Sequence, residues 1–189
     1  AVDQMTQAVD GNLTAEDVLR LVVSQNPRTQ LAAAHVFSQH ADWASHSVDV
    51  IGPLLEATGT AASREIARQL ITDSLGQDKT AELVGRLLSN RQTTTEIKEL
   101  LLAAIAAGNG LTLHASWVAP LEQRLANDEQ RIVDQTLAAL AAIKTDHFDT
   151  RLQQLGDDID RPMLQRIAAL EVANGQRGRI TDDSLELLL

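Results

Sequence analysis

The chain has no cysteine and no tyrosine, and its 189 residues contain only two Phe and two Trp (Phe37, Phe148, Trp43, Trp117) and four prolines. Without cysteine, a disulfide, a Cys-ligated zinc, a thiol nucleophile and covalent haem attachment are all excluded within these residues. With aromatics so scarce, a core has to be assembled from Leu, Ile, Val and Ala, and small side chains favour helices lying close together. No apolar run approaches the roughly 20 residues needed to span a bilayer, and Ala1–Gly11 has neither the basic start nor the apolar stretch of a signal peptide. Membrane insertion by this segment is not expected, while its compartment stays open. An excess of basic residues is also missing: 16 Lys+Arg stand against 26 Asp+Glu, for a net charge of −10. That balance opposes non-specific attraction to a phosphate backbone, so nucleic acid is not expected as a partner.

What is present is helical periodicity. Residues 1–13 read as an acidic lead-in, the end of a preceding helix. From Thr14, an N-cap followed by Glu16 and Asp17, apolar residues recur at helical spacing along almost the whole chain. The pattern predicts helices at about 14–25, 27–40, 43–58, 61–75, 78–90, 93–107, 114–127, 128–144, 147–157, 161–174 and 181–189. Turn signals separate them at Asn26-Pro27, Thr58-Gly59, Gly76, Gly108-Asn109-Gly110, Gly156-Asp157 and Gly175. No strand pattern is found. In the second helix Asn26 is placed to cap, Pro27 sits at the first position, and Leu31, Ala32, Ala33 and Val36 form an apolar face.

The helices repeat. Val18, Ile51, Val84, Val118, Leu152 and Leu185 form a column on the odd-numbered helices, spaced 33, 33, 34, 34 and 33 residues apart. Thr29, Ser63, Ile97, Ile132 and Leu164 form a second column on the even-numbered ones, spaced 34, 34, 35 and 32, with Phe37, Ile71, Ile105, Leu140 and Val172 eight positions further on. Two columns in phase imply a helix hairpin repeated about every 34 residues. A lone hairpin cannot cover its own apolar face, so stacked hairpins share a continuous core. The expected fold is all-α, a right-handed α-solenoid of about five stacked antiparallel hairpins plus a partial sixth. Its units are 14–40, 43–75, 78–108, 114–144, 147–174 and a partial 181–189. The partial unit leads us to expect a fragment of a larger multidomain protein.

These residues resemble HEAT repeats, whose second helix opens with an Asp-Pro-Arg-like phrase leading into Ala-Ala-x-Ala-Leu. Asn26-Pro27-Arg28 followed by Ala32-Ala33-Ala34-His35-Val36-Phe37 is the nearest copy; Ala62-Ser63-Arg64 with Ala67 and Leu70-Ile71, and Ile97-Lys98 with Ala104-Ile105, are weaker ones. Pro53 and Pro120 each fall two residues after a column member, matching the proline that often bends the first HEAT helix. The fourth and fifth hairpins depart from the pattern, with Val133 and Gln165 at the usual basic position. Tetratricopeptide repeats share the period, but their Trp-x-x-Leu-Gly-x-x-Tyr phrase is missing, and armadillo units need a longer period.

Reactive constellations are sparse. Among His35, His40, His46, His114 and His147, only His40 and His46 flank a carboxylate, Asp42, and their spacing is unlike a helical ligand pair; loop or packing roles are preferred to a metal site. Asp157, Asp158 and Asp160, like Asp182 and Asp183, adjoin helix starts, where capping is their simplest task. No Gly-x-Ser-x-Gly elbow or phosphate loop of Gly-x-x-x-x-Gly-Lys type occurs, so neither a catalytic residue nor a cofactor site is assigned. Trp43 and Trp117 are read as core indoles on first helices rather than as anchors of a binding surface. Arg64, Arg68, Lys98, Arg131 and Arg166 fall on the second helices, which line the concave side of HEAT arrays. They are the candidate partner-binding surface, but Glu65, Glu96, Glu99 and Asp134 are interspersed with them, so a solvated face of mixed charge is preferred to a dedicated anion site.

The expected function is a non-catalytic scaffold binding a protein or a neighbouring domain of the same chain. The resemblance also allows a spacer in a bacterial extracytoplasmic cytochrome c or dehydrogenase-like protein, and a HEAT-like enzyme such as a DNA glycosylase or pigment lyase. The glycosylase form needs a basic, aromatic-lined groove, which this composition disfavours.

Overall fold

Thr14 opens the first helix by accepting from the Asp17 N–H, while the Asp17 carboxylate accepts from the Thr14 N–H and hydroxyl. That reciprocal cap satisfies backbone donors the helix itself cannot. Asn26 does the same for the second helix through the Arg28 N–H at 3.0 Å, with Pro27 at a position where its missing N–H costs nothing. These elements belong to a computed structural model that describes residues 13–24, 26–56, 61–108, 110–127 and 129–177.

Among the described residues the fold is all-helical. The helices are α1 (Ala15–Val22), α2 (Pro27–Ser38), α3 (Val48–Glu56), α4 (Ala61–Ser74), α5 (Asp78–Ser89), α6 (Thr95–Ala107), α7 (Ala115–Leu125), α8 (Gln130–Ala141), α9 (Asp149–Asp157) and α10 (Met163–Arg177). The expected eleventh helix, 181–189, lies outside the described residues, as does most of the 1–13 lead-in. The chain forms two compact units, Ala1–Leu83 and Val84–Leu189, and the division falls within α5.

In the first unit α1 packs on α2, α3 on α4, and α2 on α4. Val18, Val22, Phe37, Ile51, Leu54, Leu70 and Ile71 fill the space between them. A 3-10 turn, Ala41–His46, touches all four helices and inserts Trp43. The third predicted helix therefore begins at Val48 rather than 43. Trp43 is buried as expected, but on this turn: its ring packs at 5.9 Å from Phe37 and stacks at 3.9 Å on His40.

In the second unit α7 packs on α8 and α9 on α10, while α8 also packs on both α6 and α10. Helices α5 and α7 approach closely at Gly85, where an added Cβ would lie 2.7 Å from the Ser116 carbonyl oxygen. Trp117, Leu121, Leu125, Leu137, Leu140, Phe148 and Leu152 are fully buried or nearly so. The turn after α6 and the end of α8 meet in a short parallel pairing that was not expected from the sequence, Leu111–Thr112 (β1) with Ile143–Lys144 (β2). Gly110, at φ 65°, makes the turn into β1 in a conformation that favours glycine.

The helical repeat is buried where it was expected at most positions, and it is out of phase at a few. Val18, Ile51, Val84 and Leu152 of the first column are buried, but Val118 is only half-buried, because Trp117 and Leu121 take the inward positions of α7. Phe37, Ile71, Ile105, Leu140 and Val172 are all buried. Their partners eight residues earlier are not uniform: Ser63 is buried, Thr29, Ile97 and Ile132 are half-buried, and Leu164 is 79% exposed beside a buried Gln165. On α2, Leu31 is 63% exposed, and Gln30, Ala33 and Phe37 form the inward face instead. A helix advances about 100° per residue, so a neighbour one step away wins whenever its shape or hydrogen bonding fits the facing helix better.

Candidate functional site: a cationic cleft beside α6

The five basic residues singled out in the sequence meet different fates. In the first unit Arg64 is exposed, and Arg68 forms an ion pair with Glu65 one turn earlier on α4. That pair holds the Glu65 carboxyl below its ordinary pKa, chiefly through the Arg68 hydrogen bond. In the second unit Arg131 pairs with Glu99 across α8 and α6, and Arg166 donates from Nε to the Gly156 carbonyl at 2.8 Å, closing the last turn of α9. Lys98 has no carboxylate partner among the described residues.

Lys98 lies instead in a cleft of about 390 Å³ bounded by the end of α5, α6, the end of α7 and the start of α8. Leu88, Leu102 and Ile132 line it on the apolar side; Arg91, Lys98 and Arg124 bring three cations to it. Arg124 donates from Nη2 to the Leu88 carbonyl at 3.0 Å, satisfying an acceptor at the end of α5. Arg161 repeats the device further along, donating to the Asn127 carbonyl at 3.0 Å. Burial pushes the Lys98 pKa down, and the Arg124 charge lowers it further; burial also lowers that of Arg124. The carboxylate lining the cleft, Glu99, is already paired with Arg131. The arrangement can attract and hold an anion.

Arg91 and Arg124 were not singled out in the sequence. Arg91 lies in the turn before α6 and Arg124 at the end of a first helix, 33 residues apart, close to the repeat length, which is the one signal that places both at corresponding hairpin turns.

The other candidates have local partners. His40 Nδ1 is 3.8 Å from Asp42, His46 Nδ1 4.0 Å from Asp49, and His147 Nε2 3.3 Å from Glu122. His114 caps α7 by accepting from the Ser116 N–H. No group of three His, Asp or Glu able to hold a metal ion occurs among the described residues. Asp158 accepts from the Asp160 N–H and pairs with Arg161 at 3.5 Å. Asp182 and Asp183 lie outside the described residues. Trp117 is buried, as expected of a core indole. No helix of the described residues is long and apolar enough to cross a membrane.

No protein-family model, curated protein or solved structure matches this chain.

Proposed function

We propose that the chain is a non-catalytic scaffold of the HEAT-like kind, in which stacked helix hairpins form an α-solenoid that binds a protein partner or a neighbouring domain. The observation that carries this reading is a set of side-chain ties between second helices, each about one repeat apart. Ser63 donates to Gln30 Oε1 at 3.1 Å, Arg131 pairs with Glu99, and Gln165 donates to Asp134 Oδ1 at 2.9 Å, across separations of 33, 32 and 31 residues. Ties at that interval are what neighbouring units of a one-dimensional stack would make. Exposed Ile159 in the turn before α10, and Met163 and Leu164 in its first turn, suit a surface that engages another polypeptide.

Small-angle X-ray scattering tests the architecture. A compact domain of this length has a radius of gyration of about 16 Å, so a clearly larger value supports the stack and a value at that figure counts against it. Binding is tested by comparing what the intact chain and a Met163→Glu/Leu164→Glu variant retain from the same extract. A partner lost by the variant supports the reading; identical retention removes this surface from it. A gel shift at low salt separates the glycosylase-like alternative, which requires tight DNA binding.

A further inference from the structure

The cleft beside α6 has a charge opposite to that of the chain that contains it. The protein carries a net charge of −10, yet the cleft gathers Arg91, Lys98 and Arg124 against a single carboxylate already engaged by Arg131. Structural cations normally end on a carboxylate or a helix carbonyl, as Arg68 and Arg166 do here. Lys98 does neither in any bond of the described residues, and Arg124 uses one guanidinium nitrogen on Leu88 and has further N–H groups to offer. Lys98 and Arg124 lie close enough for the charge of one to disfavour that of the other, a repulsion that an anion bound between them would offset. On the α8 wall Gln135 also lines the cleft, and its buried Oε1 has no hydrogen-bond partner among the described residues.

We propose that this cleft binds a small ligand bearing an oxyanion, a phosphate or a carboxylate, with Lys98 and Arg124 holding the charge and Gln135 bonding a polar group of the ligand. The volume of about 390 Å³ falls at the lower end of small-molecule sites. Arg124 supplies a planar donor set suited to an oxyanion, and Lys98 a point charge beside it. Leu88, Leu102 and Ile132 give the ligand's carbon frame an apolar wall. The site does not depend on whether the helix pairs form a solenoid.

The test is an NMR titration of the whole chain with inorganic phosphate, with succinate and with a Glu-rich peptide, at ionic strength held constant with sodium chloride. Saturable shifts at Lys98, Arg124 and the Gln135 side-chain amide are expected with phosphate or succinate, and Lys98→Met should weaken that binding at least about tenfold. Gln135→Leu provides a second variant should Lys98→Met perturb the fold, and it too should weaken binding. Shifts that grow without saturating, binding unchanged in both variants, or saturation by the peptide alone would overturn the proposal.

Discussion

Gln165 reaches from α10 to α8, donating from Nε2 to Asp134 Oδ1 at 2.9 Å and to the Gln130 carbonyl at 3.3 Å, while Leu164 beside it points outward. The polar residue of this adjacent pair faces the neighbouring helix and the apolar one faces solvent. A buried amide can hold two helices in register only while its bonds are made, so the exchange has a measurable cost.

Gln165→Leu should therefore lower stability by about 1–2 kcal/mol, because the Gln130 carbonyl and Asp134 lose their donor. Leu164→Gln should change it by no more than about 0.5 kcal/mol, since its site is exposed. Urea unfolding of both variants decides the matter, and the opposite ranking would mean that the apolar column, not the amide, faces α8.

Gly85→Ala should cost about 1–3 kcal/mol, since the new methyl would meet the Ser116 backbone on α7 and force the two helices apart. Gly52→Ala has nothing within 4 Å and should instead add about 0.4–1 kcal/mol by narrowing the unfolded ensemble. Thermal melts of the pair give the sign of each; a neutral Gly85→Ala would show that α5 and α7 are not held this close.

Removal of the cap at α1 by Thr14→Ala should destabilise by about 1 kcal/mol. Asp17 adds a pH signature, because its hydrogen bonds to Thr14 lower its pKa below the ordinary 3.8. A carboxylate whose folded pKa is depressed contributes stability that is present above its unfolded pKa and lost as pH falls through the folded one. The difference between wild type and Thr14→Ala should consequently shrink below pH 3.8. An acid titration followed by circular dichroism checks it.

Lys98→Met should preserve or raise stability at neutral pH while weakening anion binding. A lysine whose folded pKa lies below its ordinary 10.5 imposes a penalty when both states are protonated, and the penalty is relieved as pH rises toward that value. Arg91, Glu99 and Arg124 line the same cleft. The advantage of the variant should shrink as pH approaches 10.5, which unfolding midpoints at pH 7 and pH 10 would measure; a marked loss of stability at pH 7 would show that Lys98 has a structural partner in solution.

The existence, order and approximate limits of ten helices were legible in the sequence because capping chemistry and apolar spacing are local: Thr14 and Asn26 each act within their own first turn. The burial of Phe37, Ile71, Ile105, Leu140 and Val172 was legible too, since an apolar column at constant interval needs a common core. Tertiary structure alone decided which of two neighbours faces inward, as with Gln165 over Leu164 and Trp117 over Val118, because a rotation of one residue is settled by the surface opposite. It alone made residues 41–46 a 3-10 turn that buries Trp43, and it alone brought Arg91, Lys98, Arg124 and Gln135 to one cleft. Those four come from a turn and three helices, and no spacing along a chain specifies a site whose parts converge only when separate elements pack.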